Sequence, residues 1–315
     1  MNYDNILKCF PINISTILRQ AIEKSPNNLE EIRVRLNLPI ILKLGKSEEI
    51  IKYYISREEI NYILQRICEN SLYSYQEQII NGYITISGGH RIGLVGEAVV
   101  RDNKIININY ISGLNFRISK QILDCSERII KYIIDMQHNN ILNTLIISPP
   151  GLGKTTLLRD IVRKISNGFQ VYQNVKFNGI NVSVIDERGE IGACYKGVAQ
   201  NDLGIRTDVF SDIPKAIGMG LAIRSMAPKV IVADELGSIR DAEAIKYATS
   251  CGIKGVFTTH GKDINDLIIN PAINDLLKNK VFDVIIFIKD RDNEKYITDI
   301  SIGKAIRASS SFPVV

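Results

Sequence analysis

One stretch constrains the fold more than any other: TLIISPPGLGKTTLLRD, residues 144–160. An apolar, β-branched run ends in a Pro- and Gly-rich turn, and the turn opens directly into a helix-forming pattern. A short unbroken apolar run reads as a strand buried on both faces, the condition of a parallel sheet covered by helices. The turn nearly spells G-x-x-x-x-G-K-[ST], with Ser148 in place of the first glycine. In this strand–turn–helix setting such a turn is a phosphate cradle, because glycines let successive backbone N–H groups approach an anion at a helix N-terminus. Pro150, Gly151, Leu152, Gly153, Lys154, Thr155 and Thr156 are therefore the candidate nucleotide-binding residues. Lys154 would reach the outer phosphates and the Thr155 hydroxyl would ligate Mg²⁺. Ser148 stands at the entrance, where a small residue suffices.

The rest of the chain falls into two patterns. Up to about residue 138 it reads as α+β. The first ~30 residues read as helix, EEIRVRLNLPIILKLG as a β-ribbon, and SREEINYILQRICENSL as a helix N-capped by Ser56, with Tyr62 and Leu64 in the core. GYITISGGHRIGLVGEAVV reads as two strands about Gly88-Gly89, and INYISGLNFRIS as a further strand pair. SERIIKYIIDMQ follows as a helix, then a polar connector with His138 in solvent. From residue 139 strands alternate with helices, which gives right-handed βαβ units and a mostly parallel sheet. A closing hairpin spans VFDVIIFIKDRDNEKYITDISI, its KDRDNEK forming a solvated turn. The expected domains are 1–138 and 139–315, with no internal repeat.

In parallel α/β sheets ligands bind beyond the carboxyl ends of strands, and three more strands end in chemistry-bearing residues. VIVADELG delivers Asp234, which would hold Mg²⁺, and Glu235, which can act as general base toward a water attacking the terminal phosphate. SVIDERGEIG delivers Glu187 and Glu190 for metal or water positioning. GVFTTHG brings His260, with Thr258 and Thr259, to sense that phosphate. Phosphoryl transfer also calls for positive charge on the transition state, for which Arg91, Arg117, Arg206 and Arg224 are candidates.

Bulk properties set the class. The chain has 315 residues, 45% hydrophobic and 23% charged, with a net charge of +5 and interspersed signs. That is globular composition without a polybasic tail. Five scattered cysteines with no C-x-x-C pair point to reduced thiols in a cytoplasm. The sequence shows no leader pattern and no apolar run of bilayer-spanning length, so any membrane role is expected to be peripheral.

The runs EIRVR, GGHRIGLVG, ISGLNFRI, PPGLGKTTLLRD, VIDERGEI, NDLGIRTDV, RSMAPKVIVADELG and TTHG extend from residue 31 to 261. Together they resemble the type II/type IV (VirB11-like) secretion ATPase superfamily, and within it the branch found in endospore-forming bacteria. The resemblance implies a RecA-like P-loop NTPase domain preceded by a smaller α+β domain, with ATP and Mg²⁺ as cofactors. It favours Arg91 and Arg117 as fingers over Arg206. It further implies a homo-oligomeric, hexameric ring and membrane-embedded sporulation channel proteins as partners. The place of action would be the mother-cell cytoplasm, peripheral to the outer forespore membrane. The sequence departs from the superfamily at Ser148 and in carrying Asp234 where many members have a small residue before the Glu. Glu235 is favoured as base, with Glu187 as runner-up. Two other readings share the core. A nucleic-acid-dependent motor would need interleaved aromatic and basic residues that are not evident, so no nucleic acid is expected. A nucleotide-gated scaffold would bind ATP with little turnover.

Overall fold

The computed structural model describes residues 3–24, 28–45, 47–292 and 295–302, with side chains described up to residue 289. Two compact units emerge: residues 1–120 with 193–200, and residues 121–192 with 201 onward.

The first unit opens with helices α1 (Asp4–Leu7) and α2 (Ile12–Glu23), separated by Pro11. Ile14, Leu18, Ala21 and Ile22 place one face of α2 in the core, the spacing expected of an amphipathic helix. Strands β1 (Leu29–Arg35) and β2 (Pro39–Leu44) form the expected ribbon, and β3 (Ser47–Tyr54) extends it. Helix α3 (Arg57–Ile67) starts at Ser56 through a reciprocal capping box with Glu59. It buries Ile60, Ile63 and Ile67. Leu64 packs against this core, but Tyr62 is 42% exposed, contrary to the sequence-based expectation. Two positions beyond Ile60 is about 200° round the helix, which turns Tyr62 to solvent.

A 3₁₀ turn (Leu72–Tyr75) leads into α4 (Gln76–Ile80), then β4 (Tyr83–Ile86), β5 (His90–Arg101) and β6 (Lys104–Arg117). The expected strand pair in INYISGLNFRIS is instead one strand, β6, paired along β5. The register shifts twice, and at the larger shift, between Val95 and Glu97, residues 110–112 of β6 face Gly96 alone, with Tyr110 at φ +49° in the two-residue excess. The sheet order is β3-β2-β1-β6-β5-β4. Its buried face carries Ile32, Ile92, Leu114 and Phe116. Arg91 and Arg117 are cross-strand partners, so they share the opposite face. Residues 193–200 complete this unit: the Gly88 N–H donates to Gln200 Oε1 at 2.8 Å, and Tyr195 and Lys196 both bond to Glu69.

The second unit begins with α5 (Glu127–Ile133), shorter than expected because residues 134–135 form β7 (Ile134–Asp135) against β8 (Asn140–Ile141). His138 is exposed and bonds to Asp135, as a solvated turn residue would. Then come β9 (Thr144–Ser148), α6 (Lys154–Asn167), the hairpin β10 (Gly168–Tyr172) and β11 (Val175–Asn178), and β12 (Val182–Asp186). Next are β13 (Thr207–Ser211), α7 (Lys215–Ser225), β14 (Val230–Ala233), α8 (Ile239–Ser250) and β15 (Lys254–His260). Helices α9 (Ile264–Ile269) and α10 (Pro271–Lys278) precede the closing hairpin, β16 (Val284–Asp292) and β17 (Lys295–Ile302). The seven-stranded order is β13-β12-β14-β15-β9-β16-β17, parallel throughout except for β17. Every residue of β9, β12 and β14 is buried, as a sheet covered on both faces requires. Part of the expected KDRDNEK turn lies outside the described residues. All five cysteines are free thiols.

Candidate active site

Strand order decides which strand ends meet. Because β12, β14, β15 and β9 are consecutive neighbours, Asp186, Asp234, His260 and the 148–154 turn line up along one edge of the sheet. Ser148 and His260 are paired positions on β9 and β15.

The turn itself is built as a cradle. Gly151 and Gly153 have φ of +83° and +86°, conformations that L side chains avoid, and a Cβ added at Gly151 would meet nothing within 4 Å. Gly153 is the N-cap of the 14-residue α6, which aims its N-terminal amides at the turn. Ser148 is fully buried at the end of β9 and does not adopt positive φ, so a side chain there costs no backbone strain. Its hydroxyl donates to the Pro149 carbonyl at 2.7 Å.

Lys154 is buried, and its ammonium donates to Ser148 O at 3.1 Å and to His260 Nδ1 at 2.8 Å. Both partners are neutral. Burial pushes the Lys154 pKa down, opposed by the charges of Asp234 and Glu235. An ammonium can only donate, so Nδ1 accepts and Nε2 carries the proton. That Nε2–H lies 3.1 Å from Glu235 Oε1, and the other Glu235 oxygen bonds to Arg188. Ser148, Lys154, His260, Glu235 and Arg188 thus form one continuous chain.

Beside it, Asp234 divides its carboxylate between two hydroxyls. Thr155 Oγ1 donates to Oδ2 at 2.5 Å, and Thr258 Oγ1 donates to Oδ1. The Thr258 oxygen also accepts the Glu235 N–H at 2.8 Å, while Glu235 takes φ +56°. Thr259 donates to the Leu236 carbonyl at 3.1 Å, so of the three β15 candidates only His260 faces the lysine.

The acidic turn after β12 is organised around Asp186. Its buried carboxylate accepts the N–H groups of Glu190, Ile191 and Gly192 at 2.8, 3.1 and 2.8 Å. Glu187 and Glu190 are exposed, and Glu187 pairs with the buried Lys215 of α7. Arg206 is spent on the Ser166 carbonyl at 3.0 Å, and Arg224 is exposed on α7. Arg91 and Arg117 belong to the first unit, with Arg91 stacked over Tyr83 at 4.7 Å. Sequence reasoning overlooked Arg188 and Lys215. Their only signal was adjacency: Arg188 sits between the two glutamates, and Lys215 opens the helix after β13.

The family model described as "Sporulation stage III, protein AA" matches residues 2–307. The chain belongs to this family. Stage III sporulation protein AA of Bacillus subtilis (strain 168) is 35% identical over 280 residues, covering 89% of each chain. Among solved structures, the ATPase DotB of Legionella pneumophila superposes with a TM-score of 0.60 at 14% identity, covering 93% of this chain and 82% of that one. The pilus retraction motor PilT, solved with bound ADP, gives 0.58 at 15% identity, covering 92% and 84%. The family member described here therefore has the RecA-like α/β fold of the secretion ATPases, preceded by an antiparallel sheet. No helix among the described residues is long and apolar enough to cross a membrane.

Proposed function

We propose that this chain is a Mg²⁺-dependent ATPase that powers a secretion-like channel complex between mother cell and forespore. The observation that carries the reading is the convergence of Lys154, Thr155, Asp234, Glu235 and His260 at the carboxyl ends of three adjacent strands. Three features fit a nucleotide. Gly151 has open space above it, Gly153 aims the N-terminus of α6, and the buried Lys154 charge rests on neutral partners that a phosphate would replace. Thr155 and Asp234 offer hard oxygen donors 2.5 Å apart, the donor type Mg²⁺ prefers. The metal would neutralise phosphate charge when bound. ADP in the PilT structure supports the nucleotide assignment.

Within this reading Lys154 leaves His260 for the phosphates, and His260 responds to that departure. Glu235 activates water, with Glu187 as the second candidate and Glu190 beside it. Arg91 and Arg117 supply positive charge. The sporulation setting is supported by family membership, and the proposal places there a hexameric ring of copies that works from the mother-cell cytoplasm with membrane-embedded channel partners. The deciding experiment compares ATP hydrolysis by the parent with Lys154→Ala. Turnover must vanish in the variant, and equal rates in the two overturn the assignment.

One observation favours a second reading, a nucleotide-gated scaffold. Glu235 is held by both Arg188 and His260, so an isolated chain would turn over slowly. Specific activity that rises steeply with protein concentration supports the ATPase, whereas a flat, negligible rate supports the scaffold.

A further inference from the structure

Thr258 is wholly buried at the end of β15, and a threonine in such a place ordinarily spends its hydroxyl on a nearby backbone carbonyl. This one does otherwise. Its Oγ1 donates to Asp234 Oδ1 and accepts the Glu235 N–H at 2.8 Å, so a single hydroxyl joins both acids. Its carbonyl also accepts the Leu236 N–H at 2.7 Å. The chain after β14 is thereby tied to β15 beyond the last sheet pair, Ala233 with Phe257.

Two geometric effects follow from that hydroxyl. With Oδ1 occupied, the Asp234 carboxylate presents Oδ2 to Thr155, 2.5 Å away. With its N–H anchored, Glu235 is kept at φ +56°, a conformation few non-glycine residues adopt unless the surroundings impose it. From there its side chain meets His260 and Arg188. We infer that Thr258 is the positioning residue of the acid pair, setting Asp234 toward the metal position and Glu235 toward the water position at once. The inference rests on the proposed ATPase reading and adds to it the residue that orients both carboxylates.

The test removes the hydroxyl without changing shape. Thr258→Val should keep nucleotide affinity without Mg²⁺, measured with a fluorescent ATP analogue, within about twofold of the parent. It should lose most of the affinity gained on adding Mg²⁺. Its kcat should fall about tenfold or more, the cost of an unpaired buried N–H and a misdirected carboxylate. Thr258→Ser restores the hydroxyl and should recover both the Mg²⁺ increment and kcat, and Thr258→Ala, which cannot clash, should reproduce the valine result. A merely structural threonine would lower the melting temperature of the valine variant while leaving its Mg²⁺ increment and kcat at parent values, and that result overturns the inference. So does a serine variant as impaired as valine. A parent that shows no Lys154-dependent nucleotide binding overturns the ATPase reading and the inference with it. Lys154-dependent turnover that is indifferent to Thr258 overturns the inference alone.

Discussion

Lys154 Nζ lies 2.8 Å from Nδ1 of His260, so the lysine of the glycine-rich turn is held by the histidine of a neighbouring strand. A nucleotide must break this bond before Lys154 can reach a phosphate. A hydrogen bond of this kind contributes about 1 kcal/mol net. His260→Ala should therefore raise ATP affinity, by about threefold to tenfold, in a fluorescence titration. The same variant deprives Glu235 of one orienting partner, and its turnover should fall at least about tenfold. Tighter binding with slower turnover is the expected signature, and weaker binding would contradict it.

Glu235→Gln preserves shape and one acceptor oxygen, sets a donor NH2 against Arg188 or His260, and cannot accept the water's proton. It should bind ATP within a few-fold of the parent while hydrolysis drops by about 10² or more. Rapid-quench measurement of a single turnover separates loss of chemistry from slow product release. If Glu187→Gln shows the larger loss, the roles of the two glutamates are exchanged.

Ser148→Gly restores the full glycine pattern of the turn. Ser148 already avoids positive φ and contributes its backbone carbonyl, not its side chain, to Lys154. Nucleotide affinity should stay within about twofold of the parent, because its bond to Lys154 comes from a backbone atom that every residue type supplies.

Asp186 accepts three backbone N–H groups from inside the protein, so its replacement by alanine leaves three donors unsatisfied. The expected loss of stability is about 2–4 kcal/mol by urea unfolding, with Asp186→Asn milder because it retains an acceptor oxygen.

His90 carries the clearest pH dependence. Burial lowers its pKa from 6.5 to about 4, and its Nδ1 accepts the Ser119 N–H at 3.1 Å. The unfolded chain takes up a proton near pH 6.5 and the folded one resists until about 4. The stabilisation from neutral His90 is thus complete above 6.5 and shrinks as the pH falls between these values. From pH 6.5 to 5 it should account for roughly 2 kcal/mol, measured by urea unfolding at each pH. His90→Gln should flatten the curve in that window.

How much of this was legible in the sequence depends on the range of the interaction. β9, β12, β14 and β15 announced themselves as short, largely apolar runs, because a strand covered on both faces keeps few polar positions, such as Ser183 and Thr258. The residues just past each run were then candidates by topology alone. The pairings were not legible. Arg188 reaches Glu235 only because β12 and β14 are adjacent, and the sequence order does not state that. The Thr258 hydroxyl could be read as a sensor from its position, but the Asp234 carboxylate claims it. Tyr62 was misplaced because its apolar ring suggested the core, although its position, about 200° from Ile60, faces solvent. INYISGLNFRIS, read as a strand pair, belongs to a single strand, because the irregular stretch opposite Gly96 draws on the same residue types as a turn.

The excursion of residues 193–200 into the first unit means that the polypeptide is not two beads joined once. A cut after residue 120 would free a fragment still bearing eight residues whose partners, Gly88 and Glu69, had been discarded. Swapping the front half between relatives by one crossover would mismatch that insert. Exchange of halves in this lineage therefore demands two coordinated changes, and the halves are expected to have diverged in step.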